Sequence, residues 1–162
     1  MSNNIFILTG DIQTGKTTLL QQFCQQQKNA AGILTPIVNS RRMFYDIAGN
    51  LLFEMEAAGN EEQVAIGKYL FSAAAFTEAK RILLAASKET GITYLIIDEI
   101  GPLEIKKQQG LYHTLSEILS VEFNYTLVLV IRQTLVDEAT TVFNLENPVV
   151  LGVGEMRKIF SI

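Results

Sequence analysis

The chain has 162 residues, thirteen basic against seventeen acidic for a net charge of -4, and a single cysteine. That length suits one domain with a proper core, and the basic pairs Arg41-Arg42, Lys106-Lys107 and Arg157-Lys158 are scattered, which argues against nucleic acid as the main partner. The longest apolar run, residues 125–131, is far below the ~20 residues of a membrane-spanning helix, so no membrane association is expected. Met1 to Asn4 carry no basic side chain of a secretory signal, and a lone cysteine allows no internal disulfide. A cytoplasmic protein, mature from its first residue, is the expectation, with Cys24 as a small buried hydrophobe.

In chain order, Ile5, Phe6, Ile7, Leu8 and Thr9 make a short apolar run suited to a buried parallel strand. Gly10, Asp11, Ile12, Gln13, Thr14, Gly15, Lys16 and Thr17 then fit G-x-x-x-x-G-K-[ST], followed by Thr18. The two glycines let the backbone curl so that successive N–H groups converge on phosphate oxygens, and a following helix adds its positive dipole end. That helix is present: Leu19, Leu20, Phe23 and Cys24 share one face, while Gln21, Gln22, Gln25 and Gln26 fill the other. Lys16 would reach the β- and γ-phosphates and Thr17 Oγ1 would hold Mg²⁺.

Residues 32–35 read as a second strand halted by Pro36, with extended structure continuing beyond it. Residues 43–47 and 51–55 flank Gly49-Asn50, a tight-turn signal, and read as a β-hairpin extending a parallel core. Residues 59–63 are polar and loop-like, and 64–71 end as a short strand near Phe71. From Ala73 the spacing of Ala75, Phe76, Ala79, Ile82, Leu83 and Ala86 predicts a helix stopped by Gly91.

Residues 94–97 are the next buried strand, ending in Asp98-Glu99, after which Gly101-Pro102 breaks the chain. A helix follows over 110–123, then a strand over 127–131, a helix over 134–143 and a last strand over 149–151 entered through Pro148. His113 has no second histidine at ligand spacing and reads as a surface residue rather than a metal ligand. Strands alternating with helices predict an α/β fold: a mostly parallel sheet flanked by helices, with an antiparallel hairpin extension over about 41–56, in one domain over 1–162. Ligands of such sheets sit at the carboxyl ends of the strands, where the phosphate loop and Asp98 both fall.

Mg²⁺ on nucleotide phosphates prefers hard oxygen ligands, so a strand-end acid is the natural partner of a phosphate loop, and Asp98 is that acid. Glu99 lies where a carboxylate could orient or deprotonate a water attacking the γ-phosphate, a reading favoured over a capping or surface glutamate because the turn at Gly101-Pro102 can hold both carboxylates at the sheet's edge; Glu104 is the reserve candidate. Arg132 closes the strand over 127–131 and could place a guanidinium against phosphate oxygens, while Arg41 and Arg42 at the mouth of the hairpin offer similar possibilities. Lys16, Glu99 and Arg132 are the catalytic candidates. Residues 10–18, with Asp98, Glu99, Ile100, Gly101 and Pro102, are assigned to the nucleotide, and Thr17 and Asp98 to the metal.

Gly10 to Thr18, Gly32-Ile33-Leu34-Thr35-Pro36 with Arg42 and Tyr45-Asp46-Ile47, then Phe71, Ala75-Phe76, and above all Asp98-Glu99-Ile100-Gly101-Pro102-Leu103-Glu104 resemble the cancer-related nucleoside-triphosphatase family, members of the P-loop nucleoside triphosphatases also labelled predicted nucleotide kinases. The resemblance covers nearly the whole chain and fades after about Arg132. It implies Mg²⁺-dependent hydrolysis of ATP, GTP and other nucleoside triphosphates with broad base tolerance. Residue by residue, it puts Lys16 and Thr17 on phosphate and metal, Asp98 on metal and Glu99 on water. The family's Gly-Phe-x-Thr-Glu run stands here as Gly32 to Pro36, without its acidic residue, so no role of that glutamate carries over. A nucleotide or small-molecule kinase is the alternative reading, and a nucleotide-dependent switch or accessory protein is a third; a protein partner is not specified. No Asn-Lys-x-Asp base-reading motif is present, which weakens a guanine-specific assignment.

Overall fold

The structure, a computed structural model, describes residues 4–11, 15–57, 59, 61–66 and 69–162; Ile12, Gln13 and Thr14 of the phosphate loop lie outside the described residues. In chain order the strands are β1 (Asn4–Leu8), β2 (Ala30–Leu34), β3 (Ile37–Val38), β4 (Arg41–Asp46), β5 (Leu51–Glu54), β6 (Gln63–Ile66), β7 (Tyr69–Ser72), β8 (Tyr94–Ile97), β9 (Thr126–Val130) and β10 (Val149–Leu151). The helices are α1 (Lys16–Gln26), α2 (Ala73–Ser87), α3 (Pro102–Lys107), α4 (Tyr112–Leu119), α5 (Val136–Val142) and α6 (Val153–Phe160).

Strands β10, β1, β9, β8 and β2 lie side by side in that order, all parallel, and β4 continues the sheet antiparallel to β2 with β3 and β5 paired to it. The expected mostly parallel α/β sheet with an antiparallel extension is therefore the observed one. Its strands are near-continuous apolar runs because helices cover both faces. Side chains divide by the strand period of two: Ile5, Leu95, Ile97, Leu127 and Leu129 pack with α2 and α4, whereas Leu8, Ile96, Val128 and Val130 pack with Leu19, Leu20 and Phe23 of α1 and Met156 of α6.

Three local expectations need correction, and the extended structure expected beyond Pro36 takes a definite form. In place of one strand near Phe71, β6 and β7 pair with each other antiparallel. A short β3 follows Pro36, turning back into β4 through Asn39 and Ser40, both left-handed (φ 50° and 64°), a geometry suited to a two-residue hairpin. Gly101-Pro102 does not simply break the chain: Pro102 opens α3, since its fixed φ and missing N–H suit a first helical turn. Beyond the last expected strand, α6 forms on the half-capping pair in which Gly152 N–H donates to Glu155 Oε1 at 3.2 Å. The ring of Phe160 then packs 4.5 Å from that of Phe23.

One glycine sets how closely β2 and β8 approach. Gly32 pairs with Ile96, has φ 118°, and a Cβ there would overlap the Ile96 carbonyl oxygen. Gly32→Ala should therefore destabilise the fold by about 3 kcal/mol or more, the sum of backbone strain and overpacking. Urea unfolding measures this, and a loss below about 1 kcal/mol would contradict the inferred closeness.

Candidate functional site

Because β9 lies between β1 and β8, the phosphate loop after β1 and Asp98 after β8 start two strand spacings apart, about 10 Å. Helix α1 closes that gap. Gly15, in the left-handed region at φ 85°, turns the chain into α1, whose first turn carries no acidic residue and no side-chain cap. Thr17 in that turn donates its hydroxyl to Asp98 Oδ2 at 2.8 Å, and the Thr35 N–H donates to the same oxygen at 3.0 Å. Lys16 Nζ bonds the carbonyl oxygens of Gly10 and Asp11 at 3.2 and 2.6 Å, while Thr18 is exposed.

Asp98 is buried, at 3 % exposure. Burial pushes its carboxyl above the usual carboxylate range, a shift opposed by the Thr35 N–H and the Thr17 hydroxyl and reinforced by neighbouring Glu99. The carboxylate, the hydroxyl and the phosphate oxygens of a ligand would form an all-oxygen set, which fits Mg²⁺ better than a softer metal.

Glu99 owes its position to an unusual backbone. The Asp98 N–H bonds Ile33 O on the β2 side at 3.0 Å, but the Ile100 N–H bonds Val130 O on the β9 side at 2.8 Å. In a regular strand two such N–H groups face the same neighbour, and the reversal is made by Glu99, left-handed at φ 70°. The turn carries the Glu99 carboxylate between two cations, with Arg42 Nη1 at 3.2 Å and Arg132 Nη2 at 3.6 Å. Arg132 follows β9 as expected. Arg42 is carried there by the β3–β4 hairpin, a tertiary approach with no local sequence signal beyond its basic charge.

Ile100 packs in the core, and Gly101 and Pro102 lead into α3. Glu104 does something else entirely. Its Oε1 accepts from the Gly101 N–H at 3.1 Å and its Oε2 from the Leu111 N–H at 3.2 Å, so it ties the start of α3 to the segment before α4. Burial pushes this carboxyl from 4.5 up to about 7 against those two hydrogen bonds. The spacing Gly101-x-x-Glu104 is the signal that marks it as a cap. Cys24 on α1 is partly buried, its thiol pushed up to about 12 by desolvation, and among the described residues no group of three or more His, Cys, Asp or Glu is arranged to hold a metal by itself.

A phosphate loop opening a helix against the acidic end of a parallel strand defines a nucleotide-binding α/β protein of the phosphate-loop class. The NTPase family model matches residues 5–153, and the chain belongs to that family, as its resemblance to the cancer-related nucleoside triphosphatases implied. Among solved structures it is similar to THEP1 of the hyperthermophile Aquifex aeolicus, at 22 % identity and TM-score 0.73 over 97 % of this chain and 95 % of that one. It is also similar to a human cancer-related nucleoside triphosphatase, at 20 % identity and TM-score 0.69 over 98 % and 96 % of the two chains. At these identities the two likenesses establish the fold. No curated protein matches the chain.

With both oxygens of Glu104 facing N–H donors, an amide would turn a donor against one of them. Glu104→Gln should therefore lower stability by about 1–3 kcal/mol. Because the carboxyl is pushed up on folding, the folded state holds this proton more tightly than the unfolded one. The resulting stability is fully present below about 4.5 and lost as pH rises through about 7. The Tm deficit of Glu104→Gln against the wild type is thus expected to shrink between those pH values, and a constant deficit would contradict the raised carboxyl.

Proposed function

We propose that the chain is a nucleoside-triphosphate phosphohydrolase, Mg²⁺-dependent and tolerant of the base, which releases the γ-phosphate of ATP, GTP and other nucleoside triphosphates as a single cytoplasmic domain. Membership of the NTPase family supports the reaction class. The observation that carries the finer reading is the 2.8 Å contact of Thr17 with Asp98, which brings the phosphate loop and the strand-end acid to one point beside Glu99.

Thr17 Oγ1 and Asp98 would hold the Mg²⁺, which when bound neutralises charge on the β- and γ-phosphates. The backbone N–H groups of the loop and of the α1 N-terminus bind the phosphates, and Lys16, whose ammonium lies on the loop carbonyls of Gly10 and Asp11, adds its charge to them. Glu99 takes a proton from the attacking water as the new oxygen–phosphorus bond forms and the bridging oxygen departs with the nucleoside diphosphate. Arg132, within 3.6 Å of Glu99, offsets charge in the transition state, with Arg42, at 3.2 Å from the same carboxylate, beside it. Base tolerance follows from a recognition set made of phosphate contacts, because strong discrimination requires buried hydrogen bonds to the base.

Phosphate release measured with ATP, GTP, CTP and UTP, over a Mg²⁺ titration, tests the reading. Release is expected with all four and only with metal, and Asp98→Asn should raise the half-saturating Mg²⁺ about 10-fold, equivalent to ~1.4 kcal/mol. Arg132→Ala should lower kcat while leaving nucleotide binding largely intact. Activity that survives a chelator, or a preference for one base above about 10⁴-fold, would overturn the corresponding part.

A further inference from the structure

Beside Glu99 lies a cavity of about 410 Å³ that a hydrolase acting on water alone does not require. A water molecule occupies roughly 30 Å³ and needs polar partners. This space is more than ten times larger and its walls are mainly apolar, formed by Phe44 of β4, Phe71 of β7, Phe76 of α2 and Leu103 of α3. Its size falls in the range of sites for small organic ligands, about 300–1,000 Å³. The rings are already arranged as an aromatic wall, with Phe76 edge-on to Phe44 at 5.3 Å and 6.1 Å from Phe71.

The polar side of the cavity is the reacting end of the site. Asp98, Glu99, Arg42 and Arg132 line it, whereas no described residue of the phosphate loop does. The cavity therefore adjoins the proposed phosphate site and shares Asp98 and Glu99 with it. Gly101 also lines it. Although this residue is buried, a Cβ built on it would meet nothing within 4 Å, so the backbone there faces open space.

We propose that this cavity is a second substrate site, taking a small ring-bearing alcohol whose hydroxyl replaces water at Glu99 and accepts the γ-phosphoryl group. The ring lies against the phenylalanines, and the hydroxyl reaches Glu99. In the transfer step the alcohol oxygen bonds to the γ-phosphorus while the bond from that phosphorus to the β–γ bridging oxygen breaks. The hydroxyl proton passes to Glu99 and then to solvent, and a nucleoside diphosphate and an organic phosphate leave. This rests on the placement of the nucleotide proposed above, and it makes hydrolysis the outcome when the second site is vacant.

The test uses ATP labelled at the γ-phosphate, Mg²⁺, and a panel of ring-bearing alcohols at millimolar concentration: adenosine, guanosine, cytidine, thymidine, pyridoxine and tyramine. Inorganic phosphate and labelled organic phosphate are quantified together. In parallel, the methyl NMR signal of Met55, which lines the cavity, reports occupancy directly. At least one alcohol is expected to shift that signal and to yield organic phosphate, and Gly101→Leu, which fills the cavity, is expected to lose both effects. Inorganic phosphate without organic product from any panel member overturns the second site and leaves hydrolysis standing, and so does a Met55 shift with no product. Organic product without phosphate release from ATP alone supports the site and instead removes the hydrolase reading. Neither product from any mixture removes both.

Discussion

A carboxylate at the end of a buried strand has to be held in place, and here that requirement joins the two halves of the site. Asp98 is removed from water, which disfavours its charge, and it is compensated by the Thr17 hydroxyl of α1 and by the backbone N–H and side chain of Thr35 in the segment after β2. The two compensating residues come from different elements. The position of α1 over the sheet, the exit of β2 and the end of β8 are consequently set together, and an error in any one would leave a buried charge unpaired. Thr35 supplies its amide from within Gly32 to Pro36, so a segment that lacks its family's acidic residue still shapes the site through its backbone.

The left-handed Glu99 is the second constraint. A non-glycine residue in that region costs roughly 1–3 kcal/mol, and it persists because the N–H groups on either side are bonded to opposite neighbouring strands. The same turn that reverses the hydrogen-bonding direction presents the carboxylate to Arg42 and Arg132 at the mouth of the cavity. Strain, charge pairing and access to space therefore meet at a single residue, a combination that purely structural turns do not need.

Much of this was legible in the residues because it is local. The strand, glycine loop and amphipathic helix of residues 5–26 are contiguous, and the apolar run into Asp98-Glu99 announces both a buried strand and its acidic end. The parallel order followed from alternating strand and helix patterns. What escaped was either short or tertiary. Asn39-Ser40 is a weaker turn signal than Gly49-Asn50, so the hairpin of β3 with β4 was missed, and with it the approach of Arg42 to Glu99. Gly101-Pro102 reads as a break after the strand, whereas proline also suits the first turn of a helix, which is where Pro102 sits. Glu104 is a reserve base by sequence, and in the fold its two oxygens accept from backbone amides. The apolar cavity is assembled from several strands and helices and has no linear pattern to reveal it.

The proposed hydrolysis depends on Glu99 activating the nucleophile at a site built by Lys16, Thr17 and Asp98. Single-turnover phosphate release from Mg²⁺-ATP, with nucleotide affinity measured on the same preparation, tests it most directly in Glu99→Gln, which keeps the side chain's shape but removes its basicity. The expected rate is lower by about 10²-fold or more, with affinity within a few-fold of wild type. An unimpaired rate in that variant would contradict it.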